Sequence, residues 1–353
     1  MAKINPEFSK EIKKYGGFDL NACYNCGNCT AVCSLSTSEN SFPREMVRYS
    51  VLGLESEIET SLNPWLCYYC GDCSTTCPRE ADPGELMMSL RRWLTAKYDW
   101  TGLSGLLYRS LTASIIAFIA VAIGVIAFAY SQAFNLETIM HFGHYFEMFA
   151  IAGVFALILL PNIIRMWYLT IVKPNIKVSL KTYVNSIGDL FVHMFTQKRT
   201  LGCDDNKTRW FEHFILVIGY LSLLFTTVFL DWFSAQNMFI IVLGYIESAI
   251  VFTVTIIFVS GRIQKKKEVS QRSQPSDWFF VIGLLLMGLT AFIVRVFIDV
   301  NILENNEWMY LFHLIILAQW ALVIVPFGKW THFLYRSFAM FFDKLKTLEG
   351  AYK

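Results

Sequence analysis

Eight cysteines in two short runs are the residues whose spacing most directly specifies chemistry. One run is Cys67-Tyr-Tyr-Cys70-Gly-Asp-Cys73-Ser-Thr-Thr-Cys77-Pro78; the other is Cys23-Tyr-Asn-Cys26-Gly-Asn-Cys29-Thr-Ala-Val-Cys33, followed by Ser34. Three thiolates, each separated from the next by two intervening residues, let a tight loop wrap three corners of a 4Fe-4S cube. The fourth cysteine is carried away on the following chain and, in two-cluster proteins, ligates the other cube. The repeated pattern therefore predicts crossed ligation: Cys23, Cys26, Cys29 and Cys77 on one cube, Cys67, Cys70, Cys73 and Cys33 on the other. Zinc sites usually show two separate CxxC pairs rather than four cysteines in one run. Disulfides need an oxidising compartment. Of the nine cysteines only Cys203 is left over.

The elements that must hold these runs are helical. Residues 1–105 read as a small soluble iron–sulfur domain. Ser41–Gly53 reads as one helix, with Ser41 as cap, Pro43 in the first turn and Gly53 at the end. After the second run, Asp82-Pro83 opens another helix, Gly84 to about Lys97, with Leu86, Leu90 and Leu94 on one face. So small a domain has little core, and the cubes are expected to substitute for it. Met1–Leu20 is polar and lysine-bearing, with no apolar run to act as a secretory signal. The cluster domain is therefore expected in the cytoplasm.

Residues 106–353 have a different character. The 353-residue chain is 55% hydrophobic and only 16% charged, which is not an ordinary soluble composition. Six apolar stretches account for it: Leu111–Tyr130, Tyr145–Ile164, Phe211–Phe233, Met238–Ser260, Trp278–Val300 and Trp308–Phe327. Each has about 20 residues, enough to cross a hydrocarbon core of about 30 Å as a helix. Lysines and arginines number 11 before the first stretch, 8 in Arg165–Arg209, 5 in Arg262–Arg272 and 5 after Phe327, leaving only Arg295. This asymmetry predicts a multi-pass protein of the cytoplasmic membrane, with both termini and the iron–sulfur domain inside. Leu180, Tyr183, Val184, Ile187, Leu190, Phe191 and Met194 recur at helical spacing in one inner loop. They predict an amphipathic helix over Val178–Met194, a platform beneath the soluble domain in the membrane interface. The fold class expected is all-α: a helical two-cluster ferredoxin-like domain followed by a six-helix transmembrane bundle.

Histidines then sort by depth. His213 opens the third stretch on the inner side, and His332 follows at the inner end of the sixth helix, nineteen residues from His313 or about 28 Å along one axis. His313 lies near the outer end of the sixth, and His141 and His144 precede the second. Bis-histidine ligation of haem b needs two imidazoles from different helices. The expected pairs are His213 with His332 inside, and His313 with His144 (or His141) outside. His193 lies off the apolar stripe of its helix and reads as a solvated polar residue. Arg295 stands four residues before Asp299 on one helical face. An intramembrane arginine is by default a functional-site candidate, so these two are the candidate quinone-site residues beside the outer haem.

With these residues in place, the chain resembles a known family. The paired cysteine runs and the Asn63-Pro-Trp-Leu-Cys67 lead-in resemble the C subunit of heterodisulfide reductases. Arg209-Trp-Phe-Glu-His213 and Pro326-Phe-Gly-Lys-Trp-Thr-His332-Phe-Leu-Tyr-Arg336 are similar to the cytochrome b subunit of heterodisulfide reductase and the gamma subunit of nitrate reductase. The two parts in this order are similar to the membrane-embedded C subunit of quinone-interacting membrane-bound oxidoreductases. Lys198-Arg199, Cys203 and Arg209 suit that likeness. The chain departs from it at Leu223, where the nitrate reductase subunit carries a second haem histidine. The resemblance implies electron transfer between menaquinone or another quinone, one or two haem b, two 4Fe-4S clusters and flavin-containing heterodisulfide-reductase-A-like subunits. The chain has no GxGxxG after a strand, so a dinucleotide site is expected on the partner. No nucleic-acid partner is expected. Two other readings differ in class: the membrane subunit of a heterodisulfide or thiol reductase complex, and a haem-free iron–sulfur membrane anchor. No Cys-Cys pair supports disulfide reduction by this chain itself.

Overall fold

The computed structural model describes residues 3–17, 20–202, 207–229, 237–265 and 268–350. Cys203 and the end of the third apolar stretch lie outside them. The described residues are helical, with no strand among them. The cluster-bearing part contains α1 (Phe8–Lys13), α2 (Asn28–Ala31), α3 (Arg44–Leu52), α4 (Glu55–Thr60), α5 (Asn63–Leu66), α6 (Asp72–Thr75), α7 (Pro83–Tyr98) and α8 (Leu103–Arg109). Asp82 caps α7 by accepting from the Glu85 N–H at 3.2 Å, and Gly53 ends α3 at φ 67°. The cap expected at Ser41 is absent. Ser41 lies ahead of Pro43, where α3 is about to begin, and its carbonyl takes the Thr30 hydroxyl at 3.0 Å instead.

The rest comprises α9 (Leu111–Ser131), α10 (Leu136–Val154), α11 (Leu160–Trp167), α12 (Leu180–Thr196), α13 (Thr208–Val228), α14 (Met238–Gln264), α15 (Glu268–Gln271), α16 (Pro275–Asp299), α17 (Glu307–Gln319), α18 (Val325–Phe327) and α19 (Thr331–Leu348). Six helical segments are long and apolar enough to cross a membrane: Leu111–Ser131, Leu136–Val172, Thr208–Val228, Met238–Gln264, Pro275–Asp299 and Glu307–Leu348. This is a multi-pass membrane protein. Its outer faces carry exposed apolar side chains, such as Ile116, Ile119 and Ile123 on α9, which suits contact with lipid and not with water.

Two spans differ from the sequence expectation. The second begins at Leu136, so His141 and His144 lie within α10 and do not precede it. The sixth breaks at Gly328–Trp330, and His332 sits in the first turn of α19. The spacing of His313 and His332 along one straight helix therefore does not hold. Three π-helical turns interrupt the spans at Phe155–Leu159, Tyr168–Val172 and Trp320–Ile324. Each ends two residues before a proline, Pro161, Pro174 or Pro326. A proline withholds one N–H and crowds the preceding turn, which a π turn accommodates.

The small module also has more core than its length suggested. Phe8, Ile12, Trp65, Trp93 and Tyr98 belong to one buried cluster with Met166, Tyr335, Met340 and Phe341 of the later helices. Helix α19 packs against α5, α7, α11 and α12, so it joins the two regions. Helix α12 packs Leu190 into this cluster and turns Leu180, Val184, Ile187 and Phe191 outward. His193 is half-buried there, not solvated, because α12 lies on a neighbour and not alone.

Buried charges complete the junction. Asp277, in the first turn of α16, holds Arg92 of α7 at 3.2 Å and Lys329 at 2.6 Å, and Arg92 also holds Glu85 at 3.0 Å. Removing one member of a buried ionic network leaves the others desolvated and unpaired, at about 3–5 kcal/mol. Asp277→Ala is therefore expected to lower the melting temperature sharply and to hasten tryptic release of residues ahead of α9. An unchanged melt and digestion pattern would contradict the junction role.

Candidate metal centres and the cavity beside them

The two cysteine loops have the same backbone. Asn25 and Tyr69, each between the first two cysteines, take φ 57° and 59°; Gly27 and Gly71, after the second, take 92° and 98°. Only glycine adopts the latter values without strain. These turns aim backbone N–H groups at sulfur: Asn25 N–H donates to Cys23 Sγ and Tyr69 N–H to Cys67 Sγ, both at 3.3 Å. Such concavities of N–H groups suit an anionic iron–sulfur centre. Gly27 and Gly71 then start α2 and α6, the one-turn helices that carry Cys29 and Cys73.

The fourth cysteine of each run lies beside the other run. A cavity is lined by Cys23, Cys26, Cys29 and Cys77, with Arg44 and Arg79 at its rim. Arg44 donates to Asn25 Oδ1 at 2.8 Å, and Arg79 lies 4.3 Å above the Tyr24 ring. In the other set, burial pushes the Cys33 and Cys73 thiols up, and the Cys67 and Cys70 sulfurs add to both shifts. The donor sets thus suit two cubes. The loops differ in setting: Cys67 and Cys73 are buried, whereas Cys26 and Tyr24 are exposed.

The second loop faces the membrane helices. Tyr69 carbonyl accepts from Arg209 at 3.1 Å, and Tyr69 hydroxyl donates to Glu85 at 2.8 Å. Between this loop and the bundle lies a cavity of about 430 Å³, walled by Tyr68, Tyr69, Met88 and Arg91 on one side. Its bundle side includes Leu216, Tyr220, Phe258, Leu284 and Trp320, with both His213 and His332. Arg209, Arg262, Lys329 and Arg336 supply positive charge. The Trp320 indole donates to the Tyr220 hydroxyl at 3.1 Å from the π turn of the sixth span.

The two histidines are held differently. His213 Nδ1 donates to the Arg209 carbonyl at 2.9 Å, an arrangement that fixes the tautomer with Nε2 able to take a metal. His332 Nε2 accepts from Arg91 at 2.6 Å, with its ring 5.8 Å from Trp65. Arg91 is buried, donates to Pro64 carbonyl at 2.6 Å and also bonds the Cys67 carbonyl. Burial lowers its guanidinium to about 10, so it remains charged at neutral pH. An apolar chamber with two imidazoles and a cationic rim suits a haem with its acid groups. Ligation through His332 Nε2 requires Arg91 to release that atom.

The far end of the bundle holds the other candidates. His313 shares a hydrogen bond with Thr290 at 2.8 Å, and its ring lies 6.5 Å from Tyr310. His144 contacts Tyr145, as does His141. The neighbouring Gly143 packs so closely that a methyl group there would meet Tyr310, which brings α10 against α17. Arg295 pairs with Asp299, whose carboxylate also accepts from the Tyr245 hydroxyl at 2.7 Å. Sequence reasoning had Arg295 as the one clear intramembrane charge and missed Glu247. That residue is 2% exposed on α14 and bonded to Ser222 and Thr226 of α13. A single acid inside an apolar 27-residue helix was its only signal.

Fold and site together define an iron–sulfur electron-transfer protein of the membrane. The family described as 4Fe-4S dicluster domain matches residues 19–81. Among curated proteins, similarity is found to the C subunit of the H(2):CoB-CoM heterodisulfide,ferredoxin reductase of Methanothermobacter marburgensis and to that of Methanothermobacter thermautotrophicus. Each is 36% identical over 77 residues, which cover 22% of this chain and 42% of the relative. The chain thus spans less than half the length of these relatives. No solved structure matches it. A module like the heterodisulfide reductase C subunit joined to six apolar helices fits the fusion described from sequence.

Proposed function

We propose that this chain carries electrons between a membrane quinone and a soluble flavin-containing partner of the heterodisulfide-reductase-A kind. Residues 1–105 would form the cluster-bearing domain and 106–353 the cytochrome b-like one. Both termini and the clusters would lie on the cytoplasmic side of the cytoplasmic membrane. Haem b and the two 4Fe-4S clusters, when bound, supply one-electron redox steps. His213 and His332 would hold one haem in the large cavity; His313 with His144 would hold a second. Cys23, Cys26, Cys29 and Cys77, and Cys67, Cys70, Cys73 and Cys33, would hold the cubes. Menaquinone or another quinone would bind by Arg295 and Asp299.

The observation that carries this reading is the shared wall of the large cavity, with His213 on one side and Tyr68 and Tyr69 of the second cluster loop on the other. Arg91 spans from His332 to the Cys67 carbonyl. The exposed first loop, at Tyr24 and Cys26, leaves the outer cluster open to a partner. The names of the relatives favour a second reading, a subunit of a heterodisulfide or thiol reductase complex.

The test is to add a quinol to purified membranes and follow haem bands and cluster resonance signals. Haem reduction followed by cluster reduction is expected, slowed at least tenfold in Arg295→Leu and Asp299→Asn proteins of full haem content. Equal rates in both variants would move the quinone to the cavity beside His213. Purified protein with clusters and no haem would leave the haem-free anchor.

A further inference from the structure

Glu247 belongs to none of the assigned sites, yet its placement is specific. On α14 it stands nine residues after Met238, or about 14 Å along the axis, well inside a hydrocarbon core of about 30 Å. Its two carboxyl oxygens meet the Ser222 and Thr226 hydroxyls, with Thr226 at 3.0 Å. Gly219, one turn before Leu223, lets α13 and α14 approach so closely that an added methyl would meet Ile250 and the Glu247 carbonyl. The three residues form a short polar column. Ser222 directly follows Leu221, which lines the large cavity; Thr226 lies two residues from the end of α13 at Val228.

The partners suit either protonation state. A hydroxyl both donates and accepts, so the column satisfies a carboxylate that accepts twice and a neutral acid that donates once. Thr226 Oγ1 is also 3.1 Å from the Ser222 carbonyl and 3.0 Å from the Leu223 carbonyl. Its proton can turn to its own helix when Glu247 is neutral and to the carboxylate when it is not. A fixed cation would have held the site in one state. The other charged or titratable groups are Arg209, Glu212, His213 and Tyr220 on α13, Tyr245 and Arg262 on α14, and Asp277, Arg295 and Asp299 on α16, while α10, which packs against α13, adds Glu137, His141, His144, Tyr145 and Glu147.

We propose that Glu247 is a redox-linked proton site, exchanging protons with the aqueous phase beyond α13 as electrons enter and leave the cavity. This rests on a haem being bound there. One electron from quinol reduces the ferric iron while one proton from that aqueous phase binds the Glu247 carboxylate; oxidation by the clusters releases both. The coupling follows from Coulomb interaction in a medium of low dielectric, where an added negative charge favours protonation of a nearby acid.

Full-length protein in detergent serves for the test, comparing wild type with Glu247→Gln and Glu247→Asp. In wild type the midpoint potential of the cavity haem should fall as pH rises. Redox-difference infrared spectra should show a carboxylic C=O band that shifts in D2O. Glu247→Gln should keep its haem bands but lose both the pH dependence and the infrared band, and Glu247→Asp should restore part of each. A Glu247→Gln protein with the wild-type pH dependence and band overturns the inference alone. Wild-type protein without haem bands overturns the functional reading on which it rests.

Discussion

Cys77→Ser is expected to eliminate the cluster wrapped by the other cysteine run, not the one wrapped by its own. Cys77 lines a cavity with Cys23, Cys26 and Cys29, whereas the Cys33 thiol, raised by burial, is raised further by Cys67 and Cys70 and itself acts on Cys73. Acid-labile sulfide in the purified full chain should fall from about eight to about four per protein. The surviving resonance signal should be that of the cube buried against the bundle. Cys33→Ser is the converse case, and its loss should fall on the buried cube. It should also be the more disruptive variant, because Cys67 shares Arg91 with the bundle. Loss of the buried cube's signal in Cys77→Ser would mean that each run keeps its own fourth ligand.

Removing His213 should produce the second large effect. Its Nδ1 is committed to the Arg209 carbonyl at 2.9 Å, which leaves Nε2 for the cavity, and its ring packs on α14 only through Phe258, with centroids 5.0 Å apart. His213→Ala should therefore lose one haem equivalent in a pyridine haemochrome assay while sulfide content and the melt change little. His332→Ala should lose the same haem and additionally take away the imidazole that Arg91 meets at 2.6 Å when no haem is bound. That variant is expected to shift the signal of the adjacent cube as well, since Arg91 also bonds the Cys67 carbonyl. His313→Ala tests the separate far-side site. Full haem content in His213→Ala would remove this histidine from the ligand set.

The contrast between Cys77 and His332 shows where sequence reasoning is strong. Cysteine intervals act through a few bonds of local backbone, and the same positive-φ turns recur at Asn25–Gly27 and Tyr69–Gly71. Apolar length and basic-residue placement act through solvation, one residue at a time, so six membrane-crossing helices were legible without coordinates. The all-α class followed from the same local terms. What only the tertiary structure decided involves residues distant along the chain. Arg91 reaches His332, 241 residues away, and Arg92 reaches Asp277, 185 away. Phe8 and Trp65 share a core with Tyr335, so the small module draws its packing from the last helix. The break at Gly328 moved His332 off the sixth helix axis, and Glu247 acquired meaning only when α13 brought two hydroxyls to it. Such pairings depend on the direction each side chain takes once helices pack. Periodicity along one segment carries no information about the face its neighbour presents.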